Sequence, residues 1–366
     1  MLGHKRVPSR EGGVEIVVEE LAKRMVKLGN EVTVFNRRGH HVSGKIFDSK
    51  KVNNYKGILI QTVPTLNIKG LAALTSSFFA IISATIKKFD VIHIHAEGPA
   101  FFCWIPKILK RKVIVTIHGL DWQRAKWGCV ASYVIRKGEK NAVKYADEII
   151  VLSRNVQKYF KEVYGRKTKF IPNGVTKPVI KENKEIFDRW GLKKDEYVLF
   201  LGRIVPEKGV EYLIKAWKNI KTSKKLVIAG GSSDTDEFVG KLKEKSDDTI
   251  IYTGFIQGRQ LEELYSNAYL YVLPSDVEGM PLSLLEAMSY GNCCLVSSIP
   301  ECTEVVEDKA VIFKKSSVKD LEEKIQMLID NPKIVKQHKA TASAFICKKY
   351  NWEKIVKKTL SLYEVK

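Results

Sequence analysis

The sequence has little that would mark a redox, zinc-binding or membrane-spanning protein. Its six cysteines, Cys103, Cys129, Cys293, Cys294, Cys302 and Cys347, form no C-x-x-C pair and are followed by no histidines at zinc-finger spacing. Cys293 and Cys294 stand side by side in an apolar run, so buried thiols, a reducing compartment and no structural disulfide are expected. The opening residues do not read as a signal peptide. The one long apolar stretch, 71–86, contains Thr75, Ser76, Ser77, Ser83 and Thr85 and stops at Lys87. It is short for a bilayer span and is expected to be a core helix rather than a membrane-contacting one. Neither a G-x-G-x-x-G fingerprint nor Walker A spacing occurs, which argues against dinucleotide and P-loop nucleotide sites. Acidic residues are scarce beside basic ones: 41 Asp plus Glu against 62 Lys plus Arg, a formal charge of +21. That balance suits anionic partners, whether phosphorylated substrates, nucleic acid or an acidic membrane, and equally a Lys-rich solvated surface. No motif that reads RNA or DNA is visible.

What is present is an α/β pattern repeated twice. The 366 residues, 45% apolar and 28% charged, suit two folded cores better than one. The start, MLGHKRVPSREGG, reads as the end of a strand and a Gly-rich loop; the first strand is unusually short, or the sequence is truncated there. Residues 14–28 have helical periodicity and 31–36 read as a strand. Further strands are expected at 90–95, 112–117, 148–152 and 169–171, with a helix at 135–146. Pro172, Asn173 and Gly174 then open a polar stretch that runs to about residue 195. The pattern restarts with strands at 197–201, 225–229, 249–252, 269–273, 292–297 and 311–313, and helices between them. Strands of about five residues alternating with helices predict parallel, doubly wound sheets with ligands at the carboxyl ends of their strands. Residues 334–365 read as helices.

The chemistry is expected in the strand-end loops. Arg203 and Lys208 flank VPEKG, between the first strand of the second half and a helix start. Free N–H groups with Arg and Lys make a diphosphate cradle, and a plain charged loop is the alternative. Gly12 and Gly13, with Ser9 and Glu11, hold the equivalent place in the first half; they allow close backbone approach to a phosphate or sugar ring, or form a simple turn. The sharpest pattern is DVEGMPLSLLE, 276–286: Glu278 lies in the loop after a strand, Pro281 suits a first helical turn, and Glu286 falls about a turn further in. Two carboxylates separated by seven residues fit two hydroxyl-bearing parts of one long ligand, Glu278 on a sugar and Glu286 on a ribose; read alone, Glu286 is as well a surface acid on a helix and Glu278 a loop carboxylate balanced against a lysine. His118, followed by Gly119, ends a strand close to Asp121, Trp122, Arg124 and Trp127, in place either for a pocket or for capping local backbone. His93, His95 and Glu97 have H-x-H-x-E spacing without a third fixed ligand, so a metal is not expected there.

REGGVEIVVEELAKRM, VTIHGLDWQRAKW, KYADEIIVLS, FIPNGV, FLGRIVPEKGVEYLIKAW, AGG, YTGFI and DVEGMPLSLLEAMSYG follow one another across nearly the whole chain. In that order they resemble the retaining glycosyltransferase family 4, which has the GT-B fold: α/β, two Rossmann-like domains with parallel sheets facing across a cleft. The last motif matches the family's E-x7-E element, with Glu278 first and Glu286 second. GHKRVPSREGG with HGLDWQRAKW is similar to bacterial rhamnosyl- and hexosyl-transferases of surface-polysaccharide assembly. The nearly missing first strand departs from the family pattern.

The resemblance implies an acceptor-side domain at 1–175, a donor-side domain at 176–345 and a helical segment at 346–366 packing back toward the first. It implies that Arg203 and Lys208 bind the donor pyrophosphate and that Glu278 contacts the sugar hydroxyls, helped by the backbone from Gly279 through Met280, Pro281 and Leu282. Glu286 would hold the ribose, the Gly254, Phe255 and Ile256 loop the base, and His118 would lie over the donor sugar near the reaction centre. Gly12 and Gly13 would close over the phosphates. The implied catalytic set is His118, Glu278, Arg203 and Lys208. The implied activity is retaining transfer of a hexose or deoxyhexose from a nucleoside-diphosphate sugar to a glycan or an undecaprenyl-diphosphate-linked saccharide. No cofactor and no essential metal are expected. A sugar-nucleotide epimerase or a sugar phosphorylase on the same scaffold is the alternative; a non-enzymatic polyanion binder would not need Arg203, Lys208, Glu278 and Glu286 in this arrangement. The protein is expected in the cytoplasm, peripheral on the inner face of the cell membrane, where Lys5, Arg6, Arg10, Arg37, Arg38, Lys45, Lys50 and Lys51 would meet anionic headgroups. Nucleic acid is not an expected partner.

Overall fold

The computed structural model describes residues 1–39, 52–66, 68, 71–123, 128–232 and 235–364. Lys45, Lys50, Lys51, Arg124 and Trp127 lie outside the described residues. The chain divides into two compact units, Met1–Asn173 with Trp352–Lys366, and Gly174–Asn351.

In the first unit, α1 (Gly13–Lys27) leads to β1 (Thr33–Arg37), a hairpin of β2 (Asn54–Tyr55) and β3 (Ile58–Val63), and α2 (Leu71–Ile86). Then come β4 (Val91–His95), α3 (Glu97–Ala100), α4 (Trp104–Ile108), β5 (Lys112–Ile117), α5 (Cys129–Tyr145), β6 (Glu148–Val151), α6 (Arg154–Tyr164) and β7 (Lys169–Phe170). Strands β1, β3 and β2 form one run and β4 to β7 another. The opening residues join them. On one side the Met1 amino group donates to the Thr33 carbonyl at 2.7 Å and the Phe35 N–H to the Met1 carbonyl at 3.0 Å. On the other the Leu2 N–H donates to the His93 carbonyl at 3.0 Å and the His95 N–H to the Leu2 carbonyl at 2.9 Å. This is the alternating pattern of a parallel ladder. A few residues thus occupy a central strand position, with the fully buried Leu2 side chain among Phe35, Ile92 and Ile94 in the core.

Helix α2 packs one face into the core, as expected, through Ala80, Ile81 and Ala84, but that face is made mostly of small residues. The helix turns its small residues inward: Ser76, Ser77, Ala80, Ala84 and Thr85 are buried together with Ile81. The hydroxyls of Ser76, Ser77 and Thr85 donate to the carbonyls of Ala72, Ala73 and Ile81 at 2.7, 2.6 and 2.7 Å, so each is satisfied within the helix. Leu71, Phe78, Phe79 and Ile86 are left exposed.

In the second unit α7 (Glu185–Trp190) precedes β8 (Tyr197–Leu201), α8 (Val210–Trp217), β9 (Lys225–Ala229), α9 (Asp236–Glu244), β10 (Ile250–Gly254) and α10 (Arg259–Asn267). These are followed by β11 (Leu270–Leu273), α11 (Leu282–Ser289), β12 (Cys294–Ser297), α12 (Pro300–Val306), β13 (Val311–Phe313), α13 (Val318–Asp330) and α14 (Pro332–Lys349). The sheet runs β10-β9-β8-β11-β12-β13 with every pair parallel. Strands β11 and β12 are buried from end to end, and β8 and β9 at all but one terminal residue each, as a sheet covered by helices on both faces requires. The chain leaves β8 toward β9 and later returns to the other side of β8 as β11, so connections diverge between these two strands. Helix α14 carries this unit to Asn351, past the 345 expected. The last helix, α15 (Trp352–Ser361), belongs to the first unit and lies against α1, with the Arg24 guanidinium 5.4 Å over the Trp352 ring. All six cysteines are unpaired, and four of them, Cys103, Cys293, Cys294 and Cys302, are buried.

The ladder at residues 1–5 makes a stability prediction. Leu2→Ala should cost about 2–4 kcal/mol, the range for truncating a buried core leucine. A urea titration followed by tryptophan fluorescence reads it; an unmoved midpoint would show that the opening residues are a loose end and not a core strand.

Candidate functional site

The second unit brings two strand-end loops together at its switch point. After β8, residues 202–205 run into a single tight turn, Pro206–Lys208, and Gly209 reverses the chain into α8 at φ +67°. A Cβ on Gly209 would stand 2.0 Å from the Pro274 carbonyl oxygen, so only glycine lets this turn rest on the loop after β11. The Asp276 N–H donates to the Glu207 carbonyl at 2.9 Å and locks the two loops. Their side chains meet as well. Lys208 Nζ lies 2.5 Å from Glu278 Oε1, to which Ser275 Oγ also donates at 2.7 Å. The Glu278 side chain is only 8% exposed and that of Lys208 15%, so each charge depends on the other for compensation.

The other residues expected at this site stand on neighbouring strand-end loops of the same sheet and on α11. Gly230 approaches Gly202 so closely that a Cβ would lie 1.8 Å from the Gly202 oxygen. The Ile204 N–H donates to Gly231 at 3.0 Å, and the Gly230 N–H to Gly254 at 3.0 Å. The loop carrying half-buried Arg203 is thereby braced through residues 230–231 to the loop of half-buried Phe255 and buried Ile256. Met280 and Pro281 are buried; Pro281 caps α11 rather than standing in its first turn, and Leu282 is the first helical residue. Gly279 is buried beside them. Glu286 is half-buried on α11 and accepts from the Tyr265 hydroxyl at 3.2 Å, while the Tyr265 ring stacks on Tyr290 at 5.2 Å. Ser275 and Tyr265, which orient the two carboxylates, carry no motif that would single them out in the sequence.

The first unit has its own strand-end cluster. His118 follows β5, half-buried, with its Nε2 3.1 Å from Nδ1 of His95 at the end of β4. Beyond it the Asp121 N–H donates to Glu97 Oε2 at 2.8 Å. Glu97 is fully buried; burial, and then the Asp121 charge, hold its carboxyl well above the usual range. Gly12 caps α1 and Gly13 is its first residue. The buried Glu15 carboxylate closes this turn by accepting the Lys5 N–H at 2.8 Å, and a Cβ on Gly12 would come within 2.4 Å of its Oε2. Burial alone would raise the Glu15 carboxyl, but the Lys5 N–H and charge bring it below its ordinary value.

The H-x-H-x-E spacing resolves into packing. His93 and His95 stack at 4.2 Å, and the His93 nitrogens are taken by the Tyr363 hydroxyl at 2.6 Å and Thr116 Oγ1 at 2.7 Å. Among the described residues no group of three or more His, Cys, Asp or Glu could hold a metal ion. The sequence does carry an Asp-x-Asp triplet, 234–236, of the kind metal-dependent sugar transferases commonly use. Asp234 lies outside the described residues, and Asp236 opens α9 and accepts from Ser232. Among the described residues no helix is long and apolar enough to cross a membrane.

Two family descriptions cover nearly the whole chain: Glycosyltransferase Family 4 matches residues 11–177, and Glycosyl transferases group 1 matches 182–345. The chain belongs to the GT4/GT-B superfamily of glycosyltransferases. It is 28% identical over 371 residues to an uncharacterized glycosyltransferase of Methanocaldococcus jannaschii, covering 96% of this chain and 94% of that protein. It is 29% identical over 186 residues, 50% of this chain and 48% of the other, to the N,N'-diacetylbacillosaminyl-diphospho-undecaprenol alpha-1,3-N-acetylgalactosaminyltransferase of Campylobacter jejuni. Among solved structures, sucrose-phosphate synthase from Thermosynechococcus elongatus superposes with a TM-score of 0.83 at 21% identity, over 96% of this chain and 93% of that one. The glycosyltransferase thus has the GT-B architecture of two Rossmann-like α/β domains with parallel sheets, and its donor is a nucleoside-diphosphate sugar.

Proposed function

We propose that this glycosyltransferase moves a hexose or deoxyhexose, with retained anomeric configuration, onto a saccharide carried by a polyprenyl diphosphate during surface-polysaccharide synthesis. The observation that carries the reading is the Lys208–Glu278 contact between the two loops at the switch point of the second unit. Lys208 and Arg203 bind the donor diphosphate, Glu278 the sugar hydroxyls with the backbone of Gly279, Met280, Pro281 and Leu282, Glu286 the ribose, and Phe255 and Ile256 the base. When phosphate oxygens take Lys208, one Glu278 oxygen becomes an acceptor for sugar hydroxyls, so donor binding exchanges one charge-assisted contact for two. From the first unit, His118 acts on the donor sugar, and Gly12 and Gly13 on the phosphates.

In the transfer the bond from the anomeric carbon to the diphosphate oxygen breaks. The bond to the acceptor oxygen forms on the same face, and the acceptor proton passes to the departing phosphate. The charge that develops on the diphosphate is met by the fixed cations Arg203 and Lys208, which is where electrostatic stabilisation gains most. Support for a polyprenyl-diphosphate acceptor comes from the Campylobacter jejuni relative, whose name gives an undecaprenol-linked substrate. Lys208→Ala tests the site. It should weaken nucleoside-diphosphate binding at least tenfold and lower kcat by about 10²–10³-fold, as removal of one oxyanion donor does. A folded variant with unchanged donor affinity and turnover would overturn the assignment. Epimerisation of the donor without acceptor would favour the epimerase alternative, and phosphate-dependent release of the sugar the phosphorylase.

The acceptor reading places the protein at the cytoplasmic face of a membrane, and the exposed face of α2 supports that. Leu71, Phe78, Phe79 and Ile86 are exposed on it, and Trp104 and Ile108 are exposed on the adjoining α4. Exposed Lys87, Lys88 and Lys110 stand at the ends of these two helices. Apolar contact rimmed by cations fits an anionic bilayer, with up to about 1 kcal/mol from each Lys near the surface. In liposome flotation the protein should bind acidic vesicles, bind neutral ones little, and be released by raised salt. Phe78→Ser with Phe79→Ser should reduce binding at every salt concentration. A protein that stays unbound at low salt on strongly acidic vesicles would remove the membrane from the account.

A further inference from the structure

His118 is not an isolated strand-end histidine; it ends a buried row. The row starts at Tyr363, beyond α15, whose hydroxyl lies 2.6 Å from His93 Nδ1. It passes from the His93 ring to the His95 ring at 4.2 Å, and from His95 Nδ1 to His118 Nε2 at 3.1 Å. We propose that His95 is a positioning residue: its Nδ1–H donates to Nε2 of His118 and so holds His118 as the neutral tautomer whose proton is on Nδ1. The inference deepens the functional reading above, because it rests on His118 acting on the donor sugar.

The assignment follows from satisfaction of buried polar atoms. His95 is fully buried, and its Nε2 has no hydrogen-bond partner among the described residues. A neutral imidazole has one N–H and one bare nitrogen. If the proton sat on His95 Nε2, a buried donor would go unpaired, and the 3.1 Å contact would require His118 Nε2 to be the donor instead. With the proton on Nδ1, the donor is paired and only a lone pair is left without a partner, the cheaper of the two arrangements. His118 Nε2 is then committed as an acceptor, and Nδ1 becomes the ring's one donor. That suits a group meant to donate to a sugar hydroxyl oxygen.

The surroundings hold the row in this state. His93 is fixed from both sides by Tyr363 and Thr116, so it cannot rotate away from the His95 face. Burial pushes both His93 and His95 well below the ordinary histidine range; the Met1 amino group and then His118 lower His93 further, and His93 and His118 lower His95. Gly3, at φ +105°, brings the opening loop so close to the end of β4 that a Cβ would lie 2.1 Å from the His95 oxygen. The backbone that carries His95 is therefore clamped between β5 and residues 1–3.

The tautomer can be read without turnover. In a long-range ¹H–¹⁵N spectrum of the full-length wild-type protein, His118 should show an unprotonated Nε2 and a protonated Nδ1. His95→Leu should let both tautomers populate and should lower kcat roughly 10–100-fold, the loss seen when an outer partner that orients a metal-bound histidine is removed. The donor KM should stay within about twofold in that variant, because the contact acts through His118 and not on the diphosphate. His95→Asn places an amide N–H near the former Nδ1 and should restore both the tautomer and most of the rate. A protonated His118 Nε2 in the wild type overturns the proposal, even if His95→Leu fails to fold; so does a His95→Leu protein whose tautomer and kcat are unchanged. If the spectrum is as expected but His118→Phe transfers sugar at the wild-type rate, the positioning stands and the role given to His118 falls.

Discussion

Lys208 and Glu278 are far apart in the chain and meet only because β8 and β11 are neighbours in the sheet while their connections run in opposite directions. A lysine ammonium and a carboxylate, each largely withdrawn from water, must be paired or else be stabilised by a ligand. That constraint explains the supporting details. Gly209 has no side chain because the Lys208 turn has to rest on Pro274, and Ser275 supplies a second donor to the same carboxylate oxygen. Gly230 and Gly202 press together so that the Arg203 loop is braced toward Phe255. On the proposed reading, a site prepared in this way holds fixed charge where a departing diphosphate needs it, without reorganisation at the moment of reaction.

The first unit solves a related problem with less material. Its sheet needs a strand between β1 and β4, and residues 1–5 satisfy the backbone groups on both sides with only Leu2 contributing a large apolar side chain. Because the same residues then turn over the end of β4 at Gly3, the ladder that joins the sheet also confines His95. Stability and the geometry of the histidine row therefore depend on one short segment. The carboxyl-terminal residues act on the same row through Tyr363.

Much of this was legible in the sequence, for identifiable reasons. Strands such as KVIVTI are short apolar runs bounded by polar loops, and 112–117 is the strand observed. The positions of Arg203, Lys208, Glu278 and Glu286 follow from strand–loop–helix order alone. What could not be read was pairing. Nothing in the spacing announces that Lys208 faces Glu278, or that His95 faces His118, since each pair joins loops brought together by sheet register. The β2–β3 hairpin also escaped, because ILIQTV is not a continuous apolar run: Ile58, Ile60 and Val63 are buried, while Gln61 and Thr62 interrupt them. Helix α2 was legible only in part, for a different reason. A high apolar content predicts burial, but the packing there selects small residues whose hydroxyls bond within the helix, and the large ones remain outside.

The account stands on the second unit being a nucleoside-diphosphate site, and ligand-linked stability tests that directly. Melting temperatures of the wild-type protein would be compared across UDP, GDP, ADP and dTDP, each with its matching monophosphate and sugar form. A ligand at a hundred times its Kd adds about 2.7 kcal/mol to the state that binds it. One base is predicted to raise the melting temperature by several degrees as the diphosphate and the diphosphate sugar, and clearly less as the monophosphate, because the proposed role of Arg203 and Lys208 is to meet both phosphates. A panel in which no diphosphate moves the transition, or in which the monophosphate serves as well as the diphosphate, would contradict the site described here.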